Sequence, residues 1–496
     1  MEGLQTEEGG KTVLRRIGWL LTAFALMVVV LIWDFPSTLS PLGQTMLAVL
    51  VFAMTIWVTS AVGLAESSLY VIAVMGLLVT LTPDPASTGR LLGSSEGIVM
   101  ALSGFDTDAW LQVVTAFFIA AAAKKTGLGD RMGLWLIGLT GSGPRNMLAG
   151  VLVMCYIMEL FIPSPTGVAV LIIALLQRVM KVCGLEKGSN LAKGMMLAVA
   201  YGTATASVGI LTSNAPAIQT ASLIHAATGS EITWLRWFLY GEPFGLALGM
   251  VVYLLLIIFF PVEKGGLKNY RQKIRDQLDG LGPLTGPEKR LLILLLATIL
   301  LWATSRTLHP LSNSNVSIIT TAAIFLPVMG IGNWRMLAED VDWGILILYG
   351  SSVSLGQWLL KSGAAQWVAG NALVALGLGT LPEMVLIVSL LAVFGIFALA
   401  FSARAAAVAA LVPTAIGFAS SLPGLGINAE NIALISYYTI QTAAILPMHH
   451  PMAMVAHATG NFSTGEMIRL GISFMVLQVI FTGIFFFTYW KLVGLF

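Results

Sequence analysis

Two short turns in an otherwise apolar chain carry side chains suited to holding a small anion. They are Pro163-Ser164-Pro165-Thr166 and Phe401-Ser402-Ala403-Arg404. Ser164, Thr166 and Ser402 offer hydroxyls that can donate to carboxylate or sulfonate oxygens. Arg404 adds a guanidinium whose planar fork can grip a carboxylate bidentately. A charge in an apolar stretch is costly unless paired, and generally marks a pathway. Three roles are open to Arg404: substrate contact, charge compensation, or snorkelling to an interface.

Two further polar interruptions follow the turns, Leu211-Thr212-Ser213-Asn214-Ala215-Pro216 and Leu446-Pro447-Met448-His449-His450-Pro451. Thr212, Ser213 and Asn214 supply more donors. His449 and His450 can donate to an anion or sense pH. Without acids or thiolates nearby they are not expected to hold a metal. Glu159 lies five residues before Ser164. It can pair with Arg404, carry a proton, or reach water. His309 and His457 read as structural.

The elements that must position these residues are helices. Backbone groups in lipid have to be satisfied internally, so spanning segments are helical. A helix that starts inside the membrane presents unpaired N–H groups and the positive end of its dipole, which suits an anion. Such starts are expected at Thr166 and Ala405. Gly167, Ala169, Ala406 and Ala407 beside them leave room for a ligand near the backbone.

Composition requires the membrane. Hydrophobic residues make up 57% of the 496 and charged residues only 10%, against about 25% in soluble domains. The net charge of +2 is too small to suggest nucleic acid. The two cysteines, Cys155 and Cys183, are expected to pack rather than pair. The chain opens with a polar stretch and then runs apolar over Ile17–Trp33, long enough to span and with no cleavage signal after it. Lys11, Arg15 and Arg16 before that run keep the N-terminus in the cytoplasm. The expected setting is multi-pass, in a bacterial cytoplasmic (inner) membrane. A polar segment, 263–290, holds the densest basic cluster, including Lys264, Lys268, Arg271, Lys273 and Arg275. It reads as a solvated cytoplasmic linker between two halves.

The halves echo one another. Asp108-Ala109-Trp110 leads through an apolar run to Lys125-Thr126-Gly127, and Asp342-Trp343 leads through another to Lys361-Ser362-Gly363. Gly127 lies 37 residues before Ser164, and Gly363 lies 39 before Ser402. A broken helix follows each turn. Paired interruptions in two halves point to a transporter's binding site, and duplication with opposite topology underlies alternating access. The chain carries no HExxH motif and no acid cluster for a metal, so an enzyme is not expected.

From about Trp110 onward the chain resembles the divalent anion/sodium symporter family. The resemblance is clearest in Trp110–Gly127, Trp237–Phe244 (WFLYGEPF), Leu284–Arg290 (LTGPEKR), and Leu446–Leu470 with its closing stretch Thr459–Arg469. It implies an all-α integral membrane fold, an inverted-repeat elevator-type transporter with about eleven transmembrane helices and two re-entrant hairpins. It also implies a homodimer whose protomers each carry a scaffold and a mobile transport domain. Scaffold parts are expected at 1–130 and 291–365, transport parts at 131–260 and 366–496, and the linker at 261–290. Family members carry dicarboxylates, citrate and sometimes sulfate, with substrate and sodium at hairpin tips marked by Ser-Asn-Thr motifs.

The resemblance places Ser164-Pro165-Thr166 at the first tip and Ala403-Arg404-Ala405 at the second. Pro165 and Arg404 stand where the family has Asn, and Ala403 and Ala405 remove two hydroxyls. The Pro-Pro-Asn elements are altered as well, to Asn214-Ala215-Pro216 and Pro451-Met452-Ala453. Sodium near Arg404 would be repelled by about 4 kcal/mol at 4 Å and an effective dielectric of 20. Sodium near Ser164 and Thr166 stays open. The resulting expectation is an elevator-type carrier of a small organic dianion, dicarboxylate-like, an exchanger or otherwise sodium-independent, with Arg404 standing in for a cation. The alternatives are a sodium-coupled dicarboxylate or citrate symporter, and a sulfonate or sulfate transporter. The expected substrate contacts are Ser164, Pro165, Thr166, Thr212, Ser213, Asn214, Ser402, Arg404, His449 and His450. The expected partners are a small anion and membrane lipid, with no organic cofactor.

Overall fold

The computed structural model describes residues 2–495 apart from 37, 85, 86, 88, 142, 262–269, 376–380 and 422–427; at 2–12, 270, 271, 373, 374, 383 and 384 it gives backbone alone. All regular elements among the described residues are helical, with two isolated bridges besides. A first helix, α1 (Glu2–Ile32), precedes two similar successions. The first runs α2 (Pro41–Thr59), α3 (Leu64–Thr80), α4 (Ser94–Leu102), α5 (Asp108–Thr126), α6 (Leu128–Leu139), α7 (Pro144–Phe161), α8 (Pro165–Cys183), α9 (Asn190–Ala206), α10 (Ala215–Thr228) and α11 (Trp234–Phe259). After α12 (Tyr270–Gly280) the second runs α13 (Gly286–Ala303), α14 (Asn313–Ile324), α15 (Trp334–Ala338), α16 (Trp343–Lys361), α17 (Ala364–Ala375), α18 (Glu383–Ala398), α19 (Arg404–Ser421), α20 (Ala429–Thr442), α21 (Pro451–Ala458) and α22 (Thr464–Phe487). A last turn, α23 (Tyr489–Leu492), closes the chain.

Among the described residues eight helices are long and apolar enough to cross a bilayer, or nine if the bent pair α5–α6 is one span. Large apolar side chains such as Val153, Leu246, Ile258 and Ile480 are exposed along these helices, where lipid is their natural solvent.

The two successions match in detail. α5 and α16 are 19 residues each, and α6 and α17 are 12 each. Gly127 ends α5 with φ of 80°, and Gly363 follows α16 with φ of 79°. Glycine enters this left-handed region without a Cβ clash, so it stops one helix and redirects the next. At Gly127 the bend is 73°. The packing matches too. α5 lies on α14 while α16 lies on α3, and α10 meets α19 and α20 while α21 meets α8 and α9.

Prolines set several local features. Pro165, Pro216 and Pro451 sit in the first turn of α8, α10 and α21, where a missing N–H costs nothing and φ is already helical. Pro243 lies inside α11 and cannot bond the Leu239 carbonyl. The Tyr489 hydroxyl donates to that carbonyl at 2.7 Å, and Trp490 Nε1 donates to the Tyr240 carbonyl at 2.9 Å. The helix is thereby tied to α23.

The linker differs from the solvated connector expected of it. Residues 262–269, with Lys264 and Lys268, lie outside the described residues, as does the Arg271 side chain. Beyond them α12 packs on α6 and α8. Ile274 is buried in that contact, and Lys273 Nζ donates to the Val182 carbonyl near the end of α8 at 2.6 Å. A single apolar stripe, Ile274 and Leu278 at i and i+4, suffices to lay a polar helix on the bundle. Cys155 is buried and Cys183 half-buried, both unpaired.

Candidate functional site

A cavity of about 780 Å³ lies where both turns and both breaks meet. The turn between α7 and α8 brings Ser164, Pro165 and Thr166 to its wall, and the break between α9 and α10 brings Ser213 and Asn214. The turn before α19 contributes Ser402 and Arg404, and the break between α20 and α21 contributes His450. The starts of α8, α10, α19 and α21 therefore converge on one space. The observed starts at Pro165 and Arg404 fall one residue before those expected from sequence. Each N-terminus carries partial positive charge on N–H groups without helical partners.

Side chains cap two of these ends. Ser164 Oγ accepts from Gly167 N at 3.1 Å, and Asn214 Oδ1 accepts from Ala217 N at 2.8 Å. Asn214 Nδ2 donates to the Ser207 carbonyl at 3.3 Å and to the Tyr437 hydroxyl at 3.0 Å. Ser213 Oγ and the Tyr437 hydroxyl also donate to the Ser207 carbonyl, each at 3.1 Å. Gln441 Nε2 donates to Ser207 Oγ at 2.9 Å. This network satisfies the C-terminal end of α9 and joins it to α20.

Arg404 does the corresponding work in the second half. Its Nη1 donates to the Ala398 carbonyl at 2.8 Å, and its Nη2 to the Ala443 and His449 carbonyls at 2.6 Å each. Its Nε donates to His450 Nε2 at 3.2 Å. Ala398 ends α18, and Ala443 caps α20. The guanidinium thus sits among carbonyls at the negative ends of two helices. Four of its five N–H groups are committed, so the bidentate grip expected for a substrate carboxylate is not the arrangement adopted. Arg404 is buried at the cavity wall, which sets aside snorkelling to an interface.

Two expected contacts face elsewhere. Thr212 Oγ1 accepts from Trp234 Nε1 at 3.2 Å. His449 Nδ1 accepts from the backbone N–H groups of Ile445 and Leu446 at 3.1 and 3.2 Å. Neither side chain is in the cavity wall. Glu159 is also outside the wall, buried in α7, and is not a partner of Arg404. His309 and His457 bond the Leu301 carbonyl and Thr464 Oγ1. No group of three or more His, Cys, Asp or Glu side chains suited to a metal occurs among the described residues.

Sequence reasoning missed Gln441, which lines the cavity, and Tyr437 behind it. The signal was available, since both are polar residues inside the apolar run before the second break. It also missed Lys124 and Asp340 at the wall, which pair at 2.6 Å. Burial raises the Asp340 carboxyl, but hydrogen bonds and charge from Lys124 and Lys125 outweigh this and hold it below the usual range. The remaining wall is largely aliphatic and aromatic, including Val113, Phe117, Val170, Ile218 and Met452.

Spanning helices around a cavity edged by four helix starts define a multi-pass α-helical membrane protein. The sequence profile of the sodium:sulfate symporter transmembrane region matches residues 15–496. The chain belongs to that family of divalent anion/sodium symporters, and is an anion transporter rather than an enzyme. A membrane protein of Cupriavidus necator is 31% identical over 475 residues, covering 96% of this chain and 92% of that one. The sodium-dependent dicarboxylate transporter SdcS of Staphylococcus saprophyticus is 23% identical, covering 94% of this chain and 89% of its own length. SdcS of Staphylococcus aureus is 25% identical over 384 residues, 73% of this chain and 70% of its own. Among solved structures, the YdaH transporter of Alcanivorax borkumensis superposes with a TM-score of 0.53 at 15% identity, covering 88% of this chain and 98% of that one. MtrF of Neisseria gonorrhoeae, from a class of antimetabolite efflux pumps, gives 0.54 at 14% identity, covering 88% and 95%. Those two likenesses concern the fold alone.

Proposed function

We propose that this chain carries a small dianion of the dicarboxylate or sulfate class across a bacterial cytoplasmic membrane, binding it in the cavity between the two turns. The observation that carries this is the convergence of four helix starts on one space, with the Ser164, Thr166 and Ser402 hydroxyls and the second Nε2 hydrogen of Gln441 adding neutral donors, while Ser213 and Asn214 frame the wall. A dianion with two separated charges suits donors from two opposed turns. Pro165 narrows the first turn, and Thr212 and His449 hold the frame beside the breaks.

The matched successions support an inverted-repeat elevator with about eleven spans, α7–α8 and α18–α19 being the re-entrant hairpins. In that arrangement 131–260 and 366–496 carry the substrate, while 1–130 and 291–365 form the scaffold, on either side of the linker 261–290. The N-terminus is cytoplasmic and the working unit a homodimer.

For the coupling ion, the relatives favour sodium. The named SdcS proteins are sodium-dependent dicarboxylate transporters, and sodium-coupled transport is the better supported reading. Its sodium would lie near Ser164 and Thr166. The sodium-independent exchange expected from sequence has one specific support, the Arg404 guanidinium among three carbonyl oxygens. The altered Ser-Asn-Thr motifs belong to that second reading. Uptake of a labelled four-carbon dicarboxylate into proteoliposomes separates the two. Dependence on an inward sodium gradient supports the first reading, and counterflow at full rate without sodium supports the second.

A further inference from the structure

Two carboxyl groups lie behind the first break, away from the anion site. Glu159 on α7 is 1% exposed and Glu242 on α11 is 7% exposed. Neither oxygen of Glu159 has a hydrogen-bond partner among the described residues, nor has Oε2 of Glu242. No Lys or Arg pairs with either one among those residues. α7, which carries Glu159, packs against α11, which carries Glu242. Glu242 is seated directly on the break: a Cβ placed on Gly209 would lie 2.3 Å from the Glu242 N and Cα and 2.4 Å from its Oε2.

Among the described residues no countercharge is paired with either carboxyl. Cys155 and Tyr437 lie within electrostatic range of Glu159, and Tyr156 within range of Glu242. The Tyr438 hydroxyl stands 3.1 Å from the Cβ position of Gly241. Several charged groups on neighbouring elements are engaged elsewhere. Arg131 of α6 bonds Glu288 of α13, Arg178 of α8 bonds Asp130, and Lys193 of α9 bonds Glu466 of α22. Tyr201 of α9 bonds the Ala444 carbonyl, and Arg469 of α22 lies over the Phe259 ring.

An ionised carboxylate buried without a partner is costly, and such a group takes up a proton instead. Two carboxyls carried by packed helices oppose double ionisation further. We propose that Glu159 and Glu242 form a proton-binding site, loaded in this conformation, whose occupancy is coupled to movement of the first break and hence to anion transport. The coupling half rests on the transporter reading above, whereas the proton site itself does not. Glu242 abuts Gly209, two residues from Ser207, whose carbonyl holds Ser213 and Asn214 at the cavity wall. A displacement of that break opens the pair to water, where the proton leaves and both carboxylates are hydrated.

Infrared difference spectroscopy on the purified full chain in lipid nanodiscs reads the site directly. The proposal expects a protonated-carboxyl band at pH 7 that shifts in deuterium oxide and shrinks in both Glu159→Gln and Glu242→Gln. Uptake of a labelled dicarboxylate into proteoliposomes, with an external pH dye, reads the coupling. Wild-type uptake should rise several-fold under an inward proton gradient, with proton movement, and either Gln variant should flatten that dependence. Absence of the band from wild-type protein at pH 7 overturns the proton site without relying on any variant. A wild-type pH profile preserved in both variants overturns the coupling. If wild-type protein moves no anion at all, the transporter reading fails while the infrared result still decides the proton site.

Discussion

Replacing Arg404 with Ala removes the only donor found among the described residues on two buried carbonyls, those of Ala443 and His449, and one of the two donors on the Ala398 carbonyl, which also accepts from Phe401 N at 3.1 Å. Each of the two buried acceptors left without a partner costs about 1–3 kcal/mol, so the loss is about 2–6 kcal/mol. At ~2.1 cal/mol/K per residue, unfolding 496 residues converts this to roughly 2–6 °C in melting temperature. The substitution also leaves carbonyl oxygens at two helix C-termini facing an empty space, which is a setting for a small cation. The expected outcome has two parts. In choline buffer without sodium, Arg404→Ala melts several degrees below wild type. Adding sodium then recovers part of that loss in the variant, beyond any shift in wild type, because an ion that binds only the folded state raises its stability. Nanoscale fluorimetry of detergent-solubilised protein measures both. A variant as stable as wild type in choline, or one that gains no more from sodium than wild type does, would refute the role given to the guanidinium.

Three other outcomes follow from the geometry. Asn214→Ala removes the cap of α10 and the bonds to Ser207 and Tyr437; it should cost at least about 1 kcal/mol and abolish dicarboxylate-induced thermal stabilisation, and an unchanged ligand shift would count against Asn214 as part of the site. Gly127→Ala and Gly363→Ala meet no crowding closer than 3.9 Å, so each should lose only the backbone term of about 1–2 kcal/mol for a left-handed residue with a Cβ; unchanged melting in either would contradict the strained-turn account. The depressed Asp340 carboxyl contributes stability that is present above its unfolded value of about 3.9 and is lost as pH falls through its lower folded value. Melting temperature followed from pH 6 downward should therefore fall less steeply at the acid end in Asp340→Asn, and identical slopes would show that the Lys124 pair contributes nothing.

Much of the architecture was legible because lipid makes every interruption of an apolar run conspicuous. Pro163–Thr166 and Phe401–Arg404 announced turns, and Gly127 and Gly363 announced the ends of two like helices, since only glycine takes their φ without strain. The role of Arg404 was not legible. Its acceptors are backbone carbonyls, which every residue carries, so no side chain in the sequence advertised them. Thr212 and His449 have the residue types of anion ligands, but irregular backbone sets which way each points, and both turn to structural partners. The helix in the linker stayed hidden because its apolar stripe is only Ile274 and Leu278. Glu242 was visible only as one letter of WFLYGEPF; its partner Glu159 is remote in sequence, and only the fold brings α7 against α11.

The most direct test of the central claim is uptake by the purified full chain in proteoliposomes. Radiolabelled four-carbon dicarboxylate would be supplied with an inward sodium gradient, with unlabelled dicarboxylate, sulfate and an alkyl sulfonate as competitors. The account predicts saturable uptake above protein-free liposomes, inhibited by the unlabelled dicarboxylate and by at least one of the other dianions, and diminished by Asn214→Ala. Liposomes that accumulate none of these anions, with or without sodium, would contradict it.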